Sequence, residues 1–175
     1  MSSKPTGIGT IDLTDLILTG NHPQLRTGAH LDSLRPFLLW TSTQAHANGT
    51  PLGGDVEIDG TRFCIGLDET GRLSYWTLKR SLQDRSFLFR STSKAMLLED
   101  IDAFAFLRAL EELRLPYSRE IWLNSVCVVT VLESRVSISF DLEPALNRGY
   151  AAIQHSDPPL HIGGDVFRKW TYDQG

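Results

Sequence analysis

The stretch "SVCVVTVLESRVSISFDL", Ser125 to Leu142, settles the class of fold. Its first half, Ser125–Leu132, is apolar on both faces, as a strand inside a sheet requires. "ESR" supplies a turn. "RVSISFDL" then alternates, with Val136, Ile138 and Phe140 on one side and Ser137, Ser139 and Asp141 on the other. A period of two with one wet face is the mark of an antiparallel sheet. A hairpin is expected here, its first strand central.

Moving outward, "EDIDAFAFLRALEELRLP" opens with Glu99, Asp100 and Asp102, which favour the positive end of a helix dipole, and Pro116 limits it. On a helical wheel Ala103, Phe106, Leu107, Leu110 and Leu113 share one side, and Arg108, Glu111, Glu112 and Arg114 the other. Phe104 falls among the charged residues; it is either a contact for a partner or one scattered surface aromatic. Further upstream, "VEIDGTRFCIGLDETGRLSYWTLK" carries turn chemistry at Asp59–Gly60 and Glu69–Gly71 between β-rich runs. With "RSFLFRS" (Arg85–Ser91), it predicts three or four antiparallel strands between Asp55 and Ser91. The window from Ala29 to about His46 spaces Leu31, Leu34, Phe37, Leu38 and Trp40 as a helix would, kinked or restarted at Pro36. Ala47–Asp55 reads as a loop, "IDLTDLIL" as a short element of either type, and "VFRKWTY" near the C-terminus as a last edge strand. Helix, meander, helix and hairpin in that order give an α+β fold, not alternating βαβ units. The expectation is one domain over residues 1–175, an antiparallel β-sheet of about six strands with two flanking helices, and a fraying tail over residues 1–10.

At 175 residues such a chain buries a core without metals or disulfides. A net charge of -4 argues against a strongly basic nucleic-acid binder. No run reaches the roughly 18 apolar residues of a membrane span, and the N-terminus lacks a signal-peptide h-region, so a cytoplasmic protein is expected. Cys64 and Cys127 lie in apolar runs and read as reduced core thiols; no CxxC pair indicates zinc or redox work. His155 and His161 with Asp157 and Asp165 are the best metal reading, and ordinary loop polarity accounts for them more simply. Neither a dinucleotide fingerprint, a phosphate loop nor a nucleophile elbow occurs. The sequence thus calls for no cofactor, no metal and no catalytic residue.

The segment "FDLEPALNRGY", Phe140 to Tyr150, is the most suggestive. Side chains two apart on a strand share a face, so Asp141 and Glu143 project together. Paired carboxylates in a pocket can do acid–base work. Equally, Pro144 suits the first position of a helical turn, with Glu143 accepting from its free amides and Gly149 ending it. Structural punctuation, a partner surface and a catalytic cleft all remain open on local chemistry.

Asp141-Leu142-Glu143-Pro144 resembles the Asp-x-Glu-Pro motif of a mostly β family of immunity proteins from bacterial polymorphic toxin systems. The chain's size and missing signal peptide are also similar to those of the immunity factors that neutralise the mycobacterial necrotizing toxin, a secreted NAD glycohydrolase. The resemblance rests on Asp141, Glu143 and Pro144; the helix around residues 100–115 departs from a mostly β pattern. It implies a protein that is not an enzyme, and that occludes the active cleft of a cognate toxin in a one-to-one cytoplasmic complex. Acidic groups can pair with a basic cleft, and aromatic anchors carry much of such an interface. The candidate partner-binding residues are therefore Asp141, Glu143, Arg148, Tyr150, Phe104 and Trp76, with Tyr117, Trp122 and Trp170 as further aromatics. The rival readings are a small-ligand-binding protein or hydrolase using Asp141 and Glu143 in a cleft, and a secretion-accessory scaffold.

Overall fold

The computed structural model describes residues 9–142 and 149–156. The chain enters through β1 (Ile11–Asp12), helix α1 (Thr14–Thr19) and a single helical turn, α2 (Leu31–Leu34). A 3-10 turn over Arg35–Phe37 carries Pro36 and hands the chain to β2 (Leu38–Thr41). The helix expected over Ala29–His46 is therefore one turn long. Pro36 has no N–H to extend the ladder, and the leucines and Trp40 that follow fit a pleated strand instead.

Next come β3 (Gly53–Ile58), β4 (Thr61–Leu67) and β5 (Leu73–Lys79), the expected meander. Asp59 and Gly60, at φ 51° and 76°, close the first hairpin, as Asp-Gly chemistry demands. β6 (Phe87–Arg90) and β7 (Ala95–Leu97) precede helix α3 (Ala103–Glu112). The Asp102 carboxylate caps that helix, accepting from the Ala105 N–H at 2.8 Å. The chain then runs through β8 (Tyr117–Trp122), β9 (Val126–Val131), β10 (Val136–Asp141) and β11 (Tyr150–Ser156).

Eight strands form one antiparallel sheet in the order β2-β3-β4-β5-β11-β10-β9-β8. A second sheet, β1-β6-β7, holds the one parallel pair among the described residues, β1 with β6. The α+β class is as expected, but about six strands in one sheet is corrected to eight plus three among the described residues. β2 hides in a helix-like spacing, β8 carries Arg119 and Glu120 at mid-strand, and β11 is diluted by Ala151 and Ala152. The Arg85–Ser91 strand exists as β6, in the small sheet. β9 is interior, one place in from the β8 edge.

Register divides the large sheet into two chemistries. One cross-strand row runs Trp40–Asp55–Cys64–Thr77–Gln154–Ser137–Thr130–Ser118 and is almost wholly polar. The other face presents Trp76, Leu78, Ile153, Ile138, Phe140 and Val129, all fully buried. Phe106 of α3 meets Phe140 at 5.6 Å and Phe89 at 5.1 Å between ring centres, and Phe87 meets Tyr150 at 6.1 Å. α3 and the small sheet therefore pack on the apolar face, where each buried Phe contributes about 2 kcal/mol. Ser134 Oγ ties α1 down, donating to the Ile17 carbonyl at 2.6 Å. Cys127 is buried and Cys64 half-buried on the polar face; both are free thiols, and burial pushes each pKa up. Among the described residues no helix is long and apolar enough to cross a membrane. Most of the expected N-terminal tail, the turn at Pro144 and the strand at "VFRKWTY" lie outside the described residues.

Candidate functional site

Strand β10 alternates as its sequence requires, burying Val136, Ile138 and Phe140 and turning Ser137, Ser139 and Asp141 to the polar face. Asp141 closes the strand, half-buried. Across the sheet it pairs with Val126, and Val126 with Trp122, so Asp141 and Trp122 belong to one row on one face. The Leu142 N–H donates to the Ser125 carbonyl at 2.7 Å, fastening this end of β10 to the β8–β9 turn.

That turn is unusual. Leu123 and Asn124 both take positive φ, 50° and 57°, and the Ser125 N–H donates to the Trp122 carbonyl at 3.0 Å. A left-handed leucine costs about 1 kcal/mol relative to a residue that tolerates the conformation. Leu123 is also 95 % exposed, and Ile121, two residues earlier, is 53 % exposed on the helix-bearing side of the sheet. The corner formed by β8, β9 and β10 thus holds Asp141 and a half-buried Trp122 on one face, the exposed Leu123 at its turn, and the exposed Ile121 on the opposite face. A strained, solvated leucine is the kind of outlier that marks a working surface.

The other candidates fall apart. Trp76 and Tyr150 are corrected from partner contacts to core: both are fully buried, facing the apolar side of interior strands. Trp76 packs between Phe63 and His155, at 5.7 and 5.8 Å between ring centres. Burial, then the nearby Glu99 carboxylate, raises the Tyr150 phenol above its ordinary pKa. Phe104 is 58 % exposed on α3, available to a partner. Glu143 and Arg148 lie outside the described residues. Sequence reasoning missed Ile121 and Leu123; the signal was an apolar residue in a turn slot that favours Gly, Asn or Asp.

A separate cavity of about 610 Å³ opens near the other end of the sheet, lined by residues of the Gly20–Thr27 loop and by His155. Asp141 is not on its wall. Among the described residues no group of three or more His, Cys, Asp or Glu side chains is placed to hold a metal ion. Comparison of the chain with protein-family models, curated proteins and solved structures gives no match.

Proposed function

We propose that this chain is a non-enzymatic immunity protein of a bacterial polymorphic toxin system, binding a cognate secreted toxin one-to-one in the cytoplasm and occluding its active site. The observation that carries the reading is the company Asp141 keeps. The first residue of the Asp-x-Glu-Pro element shares a sheet row and face with Trp122, at the end of the sheet where the β8–β9 turn exposes Leu123. A carboxylate set among aromatic and aliphatic anchors suits a cleft with an apolar wall and a basic rim. A toxin cleft that receives an anionic substrate offers such a rim, and NAD glycohydrolysis is the activity the resemblance implies for the toxin.

The test is co-expression with the toxin encoded beside this chain. Wild type should restore growth and co-elute with the toxin as a one-to-one complex. Leu123→Asp and Asp141→Lys should each weaken the complex roughly thirtyfold or more, as loss of a 2 kcal/mol hot spot does, with the melting temperature preserved. Growth arrest despite soluble, folded wild-type chain would sink the reading. Binding without rescue would favour the accessory scaffold, and turnover of a small molecule by the isolated chain would favour an enzyme.

A further inference from the structure

We infer that the cavity between the Gly20–Thr27 loop and His155 is a binding site for a small phosphate-bearing anion. Its volume, about 610 Å³, lies within the range of small-molecule sites. The lining residues include hydrogen-bond donors: the Arg26 guanidinium, the Asn21 amide, the Thr27 hydroxyl and the His22 imidazole. No carboxylate is among its described lining residues. Asp59, whose field reaches His22, belongs to the exposed β3–β4 turn.

The two imidazoles are held in place by the core. His22 sits edge-on to Phe63 at 5.5 Å, Phe63 edge-on to Trp76 at 5.7 Å, and Trp76 stacks on His155 at 5.8 Å with planes 14° apart. Phe63 and Trp76 are fully buried, so this four-ring chain fixes both ends of the cavity before any ligand arrives. His22 Nδ1 accepts from the Gln24 N–H at 3.2 Å, which places its proton on Nε2 and leaves that N–H as a donor. Burial also holds the His22 pKa down, so this ring enters as a neutral donor. The permanent positive charge comes from Arg26, exposed and making no ion pair among the described residues. Its planar fork matches two phosphate oxygens at once. Guanidinium, amide, hydroxyl and imidazole donors around one hollow are the chemistry that recognises a phosphate monoester.

Titration calorimetry on the full chain with inorganic phosphate, AMP and adenosine tests this. Phosphate and AMP should bind saturably and adenosine should not. Arg26→Ala, an exposed substitution that the fold tolerates, should weaken AMP binding at least tenfold. His22→Ala should weaken it further while circular dichroism stays unchanged. Absence of saturable binding by both anions, equal binding of adenosine, or full retention of affinity in Arg26→Ala overturns the inference. The site is distinct from the Asp141 corner, so failure here leaves the immunity reading standing. Conversely, failed toxin rescue by a chain that still binds AMP leaves this inference intact.

Discussion

The ion pair between Asp55 and Arg62 is lopsided, and the lopsidedness is testable. Arg62 Nε donates to Asp55 Oδ2 at 2.8 Å, but the Asp55 side chain is 5 % exposed against 34 % for Arg62. Removing the arginine strands a carboxylate that cannot reach water; removing the carboxylate leaves a guanidinium that can. Arg62→Met should therefore cost about 3 kcal/mol and Asp55→Asn about 1 kcal/mol in urea unfolding. Gly149, five residues after the Asp-x-Glu-Pro segment, is constrained differently. It sits at φ 97°, and a Cβ there would collide with the Glu99 carbonyl, a backbone atom that cannot swing aside. Gly149→Ala should destabilise by about 3 kcal/mol, read as a lowered denaturation midpoint at constant slope. At this scale the sequence was legible where neighbours along one strand decide the outcome, as for Phe140 in and Asp141 out. It was illegible for Trp76 and Tyr150, whose burial depends on partners brought in from strands far along the chain.

The β8–β9 turn carries a conflict between folding and surface that an element-level substitution can separate. Asn tolerates the left-handed region that Leu123 occupies at φ 50°, so Leu123→Asn should leave stability unchanged or raise it by up to about 1 kcal/mol. The same change removes the 95 % exposed leucine, so on the immunity reading it should weaken toxin binding roughly thirtyfold. Opposite signs in thermal melting and in complex affinity check this; a fall in both would mean that the leucine is structural. Elements were readable when local signals agreed. α3 had its Asp102 cap, its apolar stripe and a closing Pro116, and the Asp59–Gly60 hairpin had its turn pair. They were misread when those signals conflicted. Leu31, Leu34 and Leu38 keep helical spacing across Pro36, yet Leu38–Thr41 gain more by pairing with β3 than by prolonging a one-turn helix. β8 was overlooked because an edge strand tolerates an Arg-Glu pair that an interior strand would not.

Seen as a whole molecule, the large sheet packs most of its apolar face under α3 and the small sheet, leaves Ile121 exposed at the β8 edge, and carries its two surface features near opposite ends of β10. The His155 row meets β10 at Val136, and Asp141 ends it, roughly 16 Å away at ~3.3 Å per residue. The cavity end adds a pH term to folding. Burial lowers the His22 pKa below its unfolded value of 6.5, so the unfolded chain takes up the proton more readily than the folded one. The neutral ring's contribution is complete above pH 6.5 and is lost as pH falls through the lowered folded pKa. Unfolding free energy should decline on that acid side, and His22→Gln should flatten the decline; a slope identical in both proteins would assign it to other groups. The Asp141 end lies roughly 16 Å along β10 from the His155 row, beyond the ~7–10 Å within which substitutions usually couple. The two ends should accordingly behave as independent modules. Arg26→Ala and Leu123→Asp combined should lose phosphate affinity and toxin affinity each by the single-variant factor, with a coupling free energy within about 0.5 kcal/mol of zero. A larger coupling in either direction would make the sheet a conduit between the sites, with occupancy of the cavity setting the affinity of the corner.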